Sequence, residues 1–331
     1  MTLLHLAPIW TLLVLAFPLA VSAEQIKIGF VLSTLQEERY LKDQKFFTEE
    51  AKRLGFSPVL ASAENNPQTQ AAKVENLLSL GVKAIVIQPV NSQAAANLVK
   101  LAHAEKVPVV AYDRMITDAP VDAYVTQDSF QVGVLQAEAA VKATKGVGNY
   151  VLLRGQAGHS VANEISRGVL SVLAKHKGIK VVVDKSHENW SGALAMATIE
   201  NALTQTSNNI AAVLANNSGM AQGAVQALAE QGLTGKVFVA GADADLAAIK
   251  NIVAGKQQFE VLKDIRPLAE TSAQVAFRLA KGEKIEATQS TKSGKFNVPT
   301  FATPVYAIDA SNLEEKVYKT GFHDKKAVLG K

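Results

Sequence analysis

The chain has 331 residues, 48% of them apolar, which is ample for the cores of two domains. Its 34 Lys and Arg against 30 Asp and Glu give a formal charge of +4, but the bases are scattered, with no basic block and no aromatic interleaving, so nucleic acid is not an expected partner. There is no cysteine, which excludes disulfides, thiol catalysis, thiolate metal sites and a lipid anchor on an N-terminal cysteine.

Residues 1–23 hold no Asp, Glu, Lys or Arg and read as a secretory signal peptide. An apolar core runs over 9–19, Pro18 lies near its end, and Val21-Ser22-Ala23 is a small-residue cleavage site. The usual basic start is missing, so an uncleaved membrane anchor is the alternative. Cleavage after Ala23 is favoured because Glu24-Gln25 then opens a strand. An exported chain with neither bridge nor anchor is expected to diffuse in a periplasm, by default as a monomer.

From there strand and helix alternate. A strand over 26–32 precedes an amphipathic helix over 37–54, stopped by Gly55. After a short strand over 57–61, Asn66-Pro67 reads as an N-cap with Pro at the first helical position, and Gly81 stops that helix. A buried strand over 84–88 ends at Pro89, and a helix runs to 105. Residues 107–112, apolar and β-branched, read as a strand covered on both faces. This βαβαβαβ order predicts a parallel sheet with right-handed crossovers. A strand over 123–126 leads into a second series, with strands over 150–153, 179–183, 211–215, 237–240 and 259–262 separated by helical stretches. The polar run 282–297 reads as a loop and 305–308 as a last strand. Ser311 with Glu314 reads as a capping box for a terminal helix. The expected fold is α/β, two doubly wound parallel-sheet lobes joined by three hinge strands. The first lobe is expected over 24–127 and 263–291, the second over 128–262 and 292–331.

Ligands bind beyond the carboxyl ends of strands in such sheets, and those positions are polar here. Ser33 to Tyr40 follow the first strand, Asp113-Arg114 the strand over 107–112, and Asn216-Asn217 the strand over 211–215. Asp243 and Asp245 follow the strand over 237–240, and Lys263 the strand over 259–262. Together they form a donor and acceptor set for a polyhydroxylated neutral ligand. Each alone has a plainer reading: Asp113-Arg114 as an ion pair finishing a turn, Asn217 and Asp245 as helix N-caps. Tyr40 and Trp190 stand in polar surroundings in a chain only 6% aromatic, and are expected to cover the apolar faces of a sugar ring, one from each lobe. Dinucleotide, Walker and zinc motifs are absent, so no cofactor or metal is expected. Gly158-His159-Ser160-Val161-Ala162 imitates a nucleophile elbow, but the preceding strand ends several residues too early and Ala replaces the final Gly. Ser160 is read as a helix N-cap, with a hydrolase as the remote alternative.

At these residues the chain resembles the type I periplasmic sugar-binding proteins of ABC importers, in the ribose-, galactose- and xylose-binding group and nearest its xylose binders. Glu38-Arg39-Tyr40-Leu41-Lys42-Asp43, Ala111-Tyr112-Asp113-Arg114-Met115-Ile116, Gly241-Ala242-Asp243-Ala244-Asp245-Leu246-Ala247 and Gly321-Phe322-His323 carry the resemblance, which spans about 25–323. It implies that Arg39, Asp113, Arg114, Asn217, Asp243 and Lys263 hydrogen-bond the sugar and that Trp190 stacks on it, with Tyr40 where the family carries another aromatic. Departures fall between Gly155 and Arg167, where Asn163 stands nearest the family's asparagine and Arg167 resembles the arginine of ribose binders. Leu262 replaces an aromatic, and Ser218 an acid. The resemblance implies a monosaccharide ligand, D-xylose first, presented to the membrane subunits of an ABC permease. A periplasmic sensor serving a chemoreceptor or histidine kinase is the alternative.

Overall fold

The structure, a computed structural model, describes residues 25–287 and 289–330. The expected signal peptide and its cleavage site lie outside the described residues. The first half of the chain runs β1 (Lys27–Leu32), α1 (Glu38–Leu54), β2 (Ser57–Ser62), α2 (Pro67–Ser79), β3 (Ala84–Ile87), α3 (Ala96–Ala104), β4 (Val109–Tyr112) and β5 (Ala123–Gln127). There follow α4 (Ser129–Thr144), β6 (Val147–Arg154), α5 (Ser160–Leu173), β7 (Gly178–Ser186), α6 (Gly192–Gln205), β8 (Ala212–Ala215), α7 (Ser218–Glu230), β9 (Phe238–Ala242), α8 (Leu246–Val253) and β10 (Phe259–Lys263). The chain closes with α9 (Ile265–Ala280), β11 (Gln289–Ser293), β12 (Phe296–Thr303), β13 (Val305–Ile308) and α10 (Lys325–Leu329).

Among the described residues these strands form two sheets, ordered β11-β12-β5-β4-β3-β1-β2 and β13-β10-β9-β8-β6-β7. All neighbouring pairs are parallel except β11 with β12 and β13 with β10. In each sheet the order reverses once, at β1/β3 and at β6/β8, and the two reversals face each other across a cleft. The central strands are apolar throughout because both faces are covered. In the first sheet Ile28, Phe30 and Tyr112 pack on one side, and Val31, Ile85 and Val109 on the other. α1 is fixed on the first of these faces by Phe47, whose ring stacks on Phe30 at 4.4 Å. Truncating Phe47 to Ala would cost about 3–5 kcal/mol.

The predicted punctuation is realised at both ends of the first helices. Gly55 closes α1 in the left-handed region (φ 85°), and the Asn66 side chain accepts from Thr69 N at the start of α2. Two expectations are corrected. The polar run 282–297 is largely a hairpin, β11 against β12, and β12 pairs in parallel with β5 (Thr300 opposite Tyr124). The chain therefore stays in the first sheet to Thr303, and its third passage runs through Pro304 into β13, not at 291/292. The run is polar because β11 is an edge strand whose side chains face water. Nor does Ser311 cap a helix: its hydroxyl donates to Asp309 Oδ1, and the π-helical turn Glu314–Tyr318 has no side-chain cap.

Candidate functional site

The strand ends deliver their loops into one cavity between the sheets. Glu37, Arg39 and Tyr40 come from the β1–α1 loop and first helical turn, Asp113 and Arg114 from the end of β4. Across the cleft stand Val161 of α5, Trp190 after β7, Asp243 after β9 and Lys263 at the end of β10. The side chains nearly meet in this arrangement, leaving a cavity of only about 10 Å³ between them. The lobes touch around it: Met115 N donates to Ser160 Oγ (2.9 Å), His159 Nε2 bonds Val90 O, and Asn65 Nδ2 donates to Asn189 Oδ1.

Charge is paired across this cavity. Arg39 lies 3.4 Å from Asp43, 3.5 Å from Asp113 and 3.9 Å from Asp243, so one guanidinium of the first lobe reaches an aspartate of the second. Lys263 Nζ is 2.7 Å from Asp243 Oδ1. That contact is an ion pair without hydrogen-bond alignment, because Asp243 Oδ1, though buried, has no hydrogen-bond partner. Asp113 differs: its Oδ2 accepts from Gln88 Nε2 at 2.9 Å. Arg114 donates to Tyr40 Oη (3.0 Å) and Pro89 O (3.3 Å), and its guanidinium lies 5.9 Å from the Trp190 ring. Burial alone would raise the Asp113 carboxyl, but Arg39, Lys263 and Arg114 outweigh it and hold it below the usual range. Glu37 and Asp43 go the other way, pushed up by burial against the pull of arginines.

Trp190 is held edge and face. Its Nε1 donates to His159 Nδ1 at 3.0 Å, and its ring lies on the backbone at Gly155, where a Cβ would come within 2.4 Å of the indole. Burial, then nearby Arg114, pushes the His159 imidazole down to about 3, so it stays neutral and can accept that bond.

The structure thus brings together Arg39, Tyr40, Asp113, Arg114, Trp190, Asp243 and Lys263. It does not bring in three expected residues. Asn163 and Arg167 lie on the exposed face of α5, where Arg167 pairs with Glu164 and stacks 4.2 Å over Phe130. Val161 is the α5 residue that lines the cavity, and His159, in the turn before α5, bonds Val90 and Trp190. Asn217 is buried at the end of β8, but its side chain caps α7 by accepting from Met220 N (2.9 Å), and it does not line the cavity. Ser160 opens α5 without capping it: its hydroxyl accepts from Met115 N, and neither ring nitrogen of neighbouring His159 is directed at it, so no nucleophile–base pair exists there. Leu262 packs with Ile249 and Ile308 and does not line the cavity. Ser218 Oγ lies 3.0 Å from Glu260 Oε2, so an acid reaches that place from β10.

Sequence reasoning missed Glu37, Gln88 and His159. Gln88 carried the signal already used elsewhere, a polar side chain just past a buried strand. Its amide links Ser33, Tyr40 and Asp113. Glu37 was one of several polar residues in its loop, and His159 was hidden in the false elbow. Among the described residues no cluster of three or more His, Asp or Glu could hold a metal, and no helix is long and apolar enough to cross a membrane.

Comparison with known proteins agrees with this geometry. The family described as periplasmic binding protein domain matches residues 28–284. The chain is 39% identical over 315 residues to the D-xylose-binding periplasmic protein of Haemophilus influenzae, covering 94% of this chain and 95% of that one. It is 40% identical over 307 residues to the D-xylose-binding periplasmic protein of Escherichia coli, covering 92% and 93%. An ABC transporter solute binding protein from Bacillus halodurans C-125, solved with bound myo-inositol, matches the fold with a TM-score of 0.79 at 30% identity, over 88% of this chain and 96% of that one. With matches running through both lobes, the chain belongs to the periplasmic binding protein family, among its sugar-binding members.

Proposed function

We propose that the protein captures one monosaccharide, D-xylose first, in the interlobe cavity and presents the closed form to the membrane subunits of an ABC importer. The observation that carries this is the Asp243 carboxylate: one oxygen is buried at the cavity, close to Lys263 and Arg39, yet lacks a hydrogen bond. A sugar hydroxyl supplies the missing donor. Asp113 and Asp243 accept from hydroxyls, while Arg39, Arg114 and Lys263 donate to them. Such charge-assisted bonds are worth about 1.5–3 kcal/mol each. Trp190 and Tyr40 cover C–H faces of the ring.

No bond is made or broken in this function. Binding energy is used to hold two lobes together, and release needs only a hinge motion at the three passages between the sheets. The location is periplasmic, as for the relatives. Export with cleavage after Ala23 and a monomeric diffusing state belong to this proposal. The ligand assignment rests on the relatives' names, 39% and 40% identical over nearly the whole chain.

Calorimetric titration of the protein lacking residues 1–23 tests it, with D-xylose, D-ribose, L-arabinose, D-glucose and D-galactose. Tight one-to-one heat with xylose is expected. Tight binding of another sugar alone would overturn the ligand, and no heat with any sugar would overturn the function.

A further inference from the structure

The turn that carries Asp243 is unusual and is held from below. Asp243 and Ala244 both have positive φ, 97° and 56°. Neither is glycine, and consecutive left-handed residues persist only where the surroundings over-determine them. Here each backbone N–H of the turn has a partner. Asp243 N donates to Val261 O (2.9 Å), Ala244 N to Glu260 Oε2 (3.1 Å), and Asp245 N to Ser218 Oγ (3.2 Å). Ala244 O bonds His323 Nε2 at 2.7 Å, from the segment before α10. Glu260 is fully buried, 0% exposed, and does not line the cavity. Room for it exists because residue 241 is glycine: a Cβ there would lie 2.1 Å from Glu260 Oε1.

We propose that Glu260 is a positioning residue for the sugar: with Ser218 and His323 it holds the Asp243–Asp245 turn so that Asp243 is aimed into the cavity. The inference rests on the proposed sugar capture and adds a group that touches no ligand.

A count of protons fits a neutral Glu260. Ser218 Oγ has a single proton, yet two acceptors lie within reach, Ala242 O at 2.9 Å and Glu260 Oε2 at 3.0 Å. Ser218 Oγ also accepts from Asp245 N. If Glu260 is a neutral acid, its own proton closes the chain, Glu260 Oε2–H to Ser218 Oγ and Ser218 Oγ–H to Ala242 O. The remaining oxygen accepts from Gln257 Nε2 at 2.6 Å. The charge that acts on Glu260 is that of Asp245 in the β9–α8 turn; Asp243 stands in the same turn, Lys263 three residues along β10, and Arg39 reaches Asp243 from α1. α7 contributes Ser218, the segment before β10 contributes Gln257, and the C-terminal segment contributes His323 against Ala244 O. Burial, together with the Asp245 charge, raises the Glu260 carboxyl from its ordinary 4.5 to about 8 despite its hydrogen bonds.

The sign follows. The folded protein keeps this proton between pH 4.5 and about 8, where the unfolded chain has lost it. Above about 8 the buried acid ionises, the proton chain to Ser218 opens, and negative charge is added beneath Asp243. Sugar affinity should therefore be level through neutral pH and fall above pH 8, by at most about tenfold per pH unit for one linked proton.

The test is xylose affinity against pH from 6 to 9.5 for the wild type, Glu260→Gln, Glu260→Ala and Ser218→Ala, with circular dichroism as the check on folding. Glu260→Gln keeps an acceptor for Ala244 N once the Gln257 amide rotates, and it cannot ionise. It should bind within about threefold of wild type at pH 7 and lose the alkaline fall, as a neutral side chain has no proton to release. Glu260→Ala should weaken binding more than tenfold at pH 7, with Ser218→Ala between. If Glu260→Ala does not fold, the Glu260→Gln profile decides. An alkaline fall that survives in Glu260→Gln, or a folded Glu260→Ala that binds like wild type, overturns the inference while leaving sugar capture intact. A wild type that binds no sugar overturns capture and this inference together.

Discussion

The two lobes present their cavity aspartates in matching ways and hold them by opposite means. Asp113 follows β4 and Asp243 follows β9. Both have positive φ, and each donates its amide to the next strand, Asp113 to Val125 O and Asp243 to Val261 O. Asp113 is satisfied before any ligand arrives: Gln88 and Arg39 hold its carboxylate, and its carbonyl accepts from Tyr124 and Thr126. Asp243 has ion-pair neighbours but an oxygen without a hydrogen bond, on a turn propped by a buried acid. The first aspartate is part of its lobe's structure, whereas the second is completed by what it binds. Repetition of a fold unit therefore does not imply repetition of energetics.

Alanine at the two aspartates breaks this comparison most sharply. Asp243→Ala should weaken xylose binding more than about 100-fold, since lost charge-assisted bonds are worth about 1.5–3 kcal/mol each, and should lower the melting temperature less than Asp113→Ala does, because it strips an ion pair from buried Lys263 but breaks no aligned hydrogen bond at Asp243 Oδ1. Asp113→Ala should lose binding and also melt lower, because Arg39 and Gln88 are left with unpaired buried groups. Calorimetry with a parallel thermal melt reads both, and equal melting of the two variants would end the distinction.

A smaller effect is expected at Trp190, which the second lobe supplies for contact with the ring. Trp190→Ala should cost about 1.5–3 kcal/mol, roughly tenfold to 150-fold in affinity. Gly155→Ala, whose Cβ would strike the indole, should reproduce part of that loss. If binding is unchanged in both, the ring packs only against protein.

The pH dependence separates the lobes more finely. Asp113 is held below its ordinary 3.8, so its contribution to stability is present above that value and disappears as pH falls through the lower folded value. Urea unfolding below pH 4 should therefore be steeper in pH for the wild type than for Asp113→Asn. Glu260 gives the opposite slope, its contribution falling as pH rises from 4.5 to about 8. The smallest effect belongs to α5: Arg167→Ala and Asn163→Ala should change xylose affinity by less than about twofold, as exposed side chains away from the cavity do. A tenfold loss in either would return that helix to the site.

Much of this was legible in the sequence, and the reason is periodicity. Apolar strands followed by polar residues mark both the sheet and its ligand edge, and the family resemblance singles out individual residues along that edge; seven of the ten expected site residues share one cavity. What was not legible depended on direction or partnership. A polar edge strand such as β11 has the composition of a loop, so the last boundary was misplaced. Which α5 residues face the cleft depends on the rotation of that helix, which places Val161 at the cavity and Asn163 and Arg167 on its exposed face. Asn217 had two readings, and a cap and a ligand contact look identical until the Met220 amide is seen beneath it. Glu260 lies inside an apolar strand with nothing nearby in sequence to identify its partners.

The central claim is that the sugar lies in this cavity, against Trp190 and Asp243. The chain contains two tryptophans, Trp10 and Trp190. In protein lacking residues 1–23, tryptophan emission therefore comes from Trp190 alone. A fluorescence titration with D-xylose should give a saturable change with the same Kd as calorimetry, and no change in Asp243→Ala. Calorimetric binding that leaves Trp190 emission untouched would place the sugar elsewhere and contradict the account.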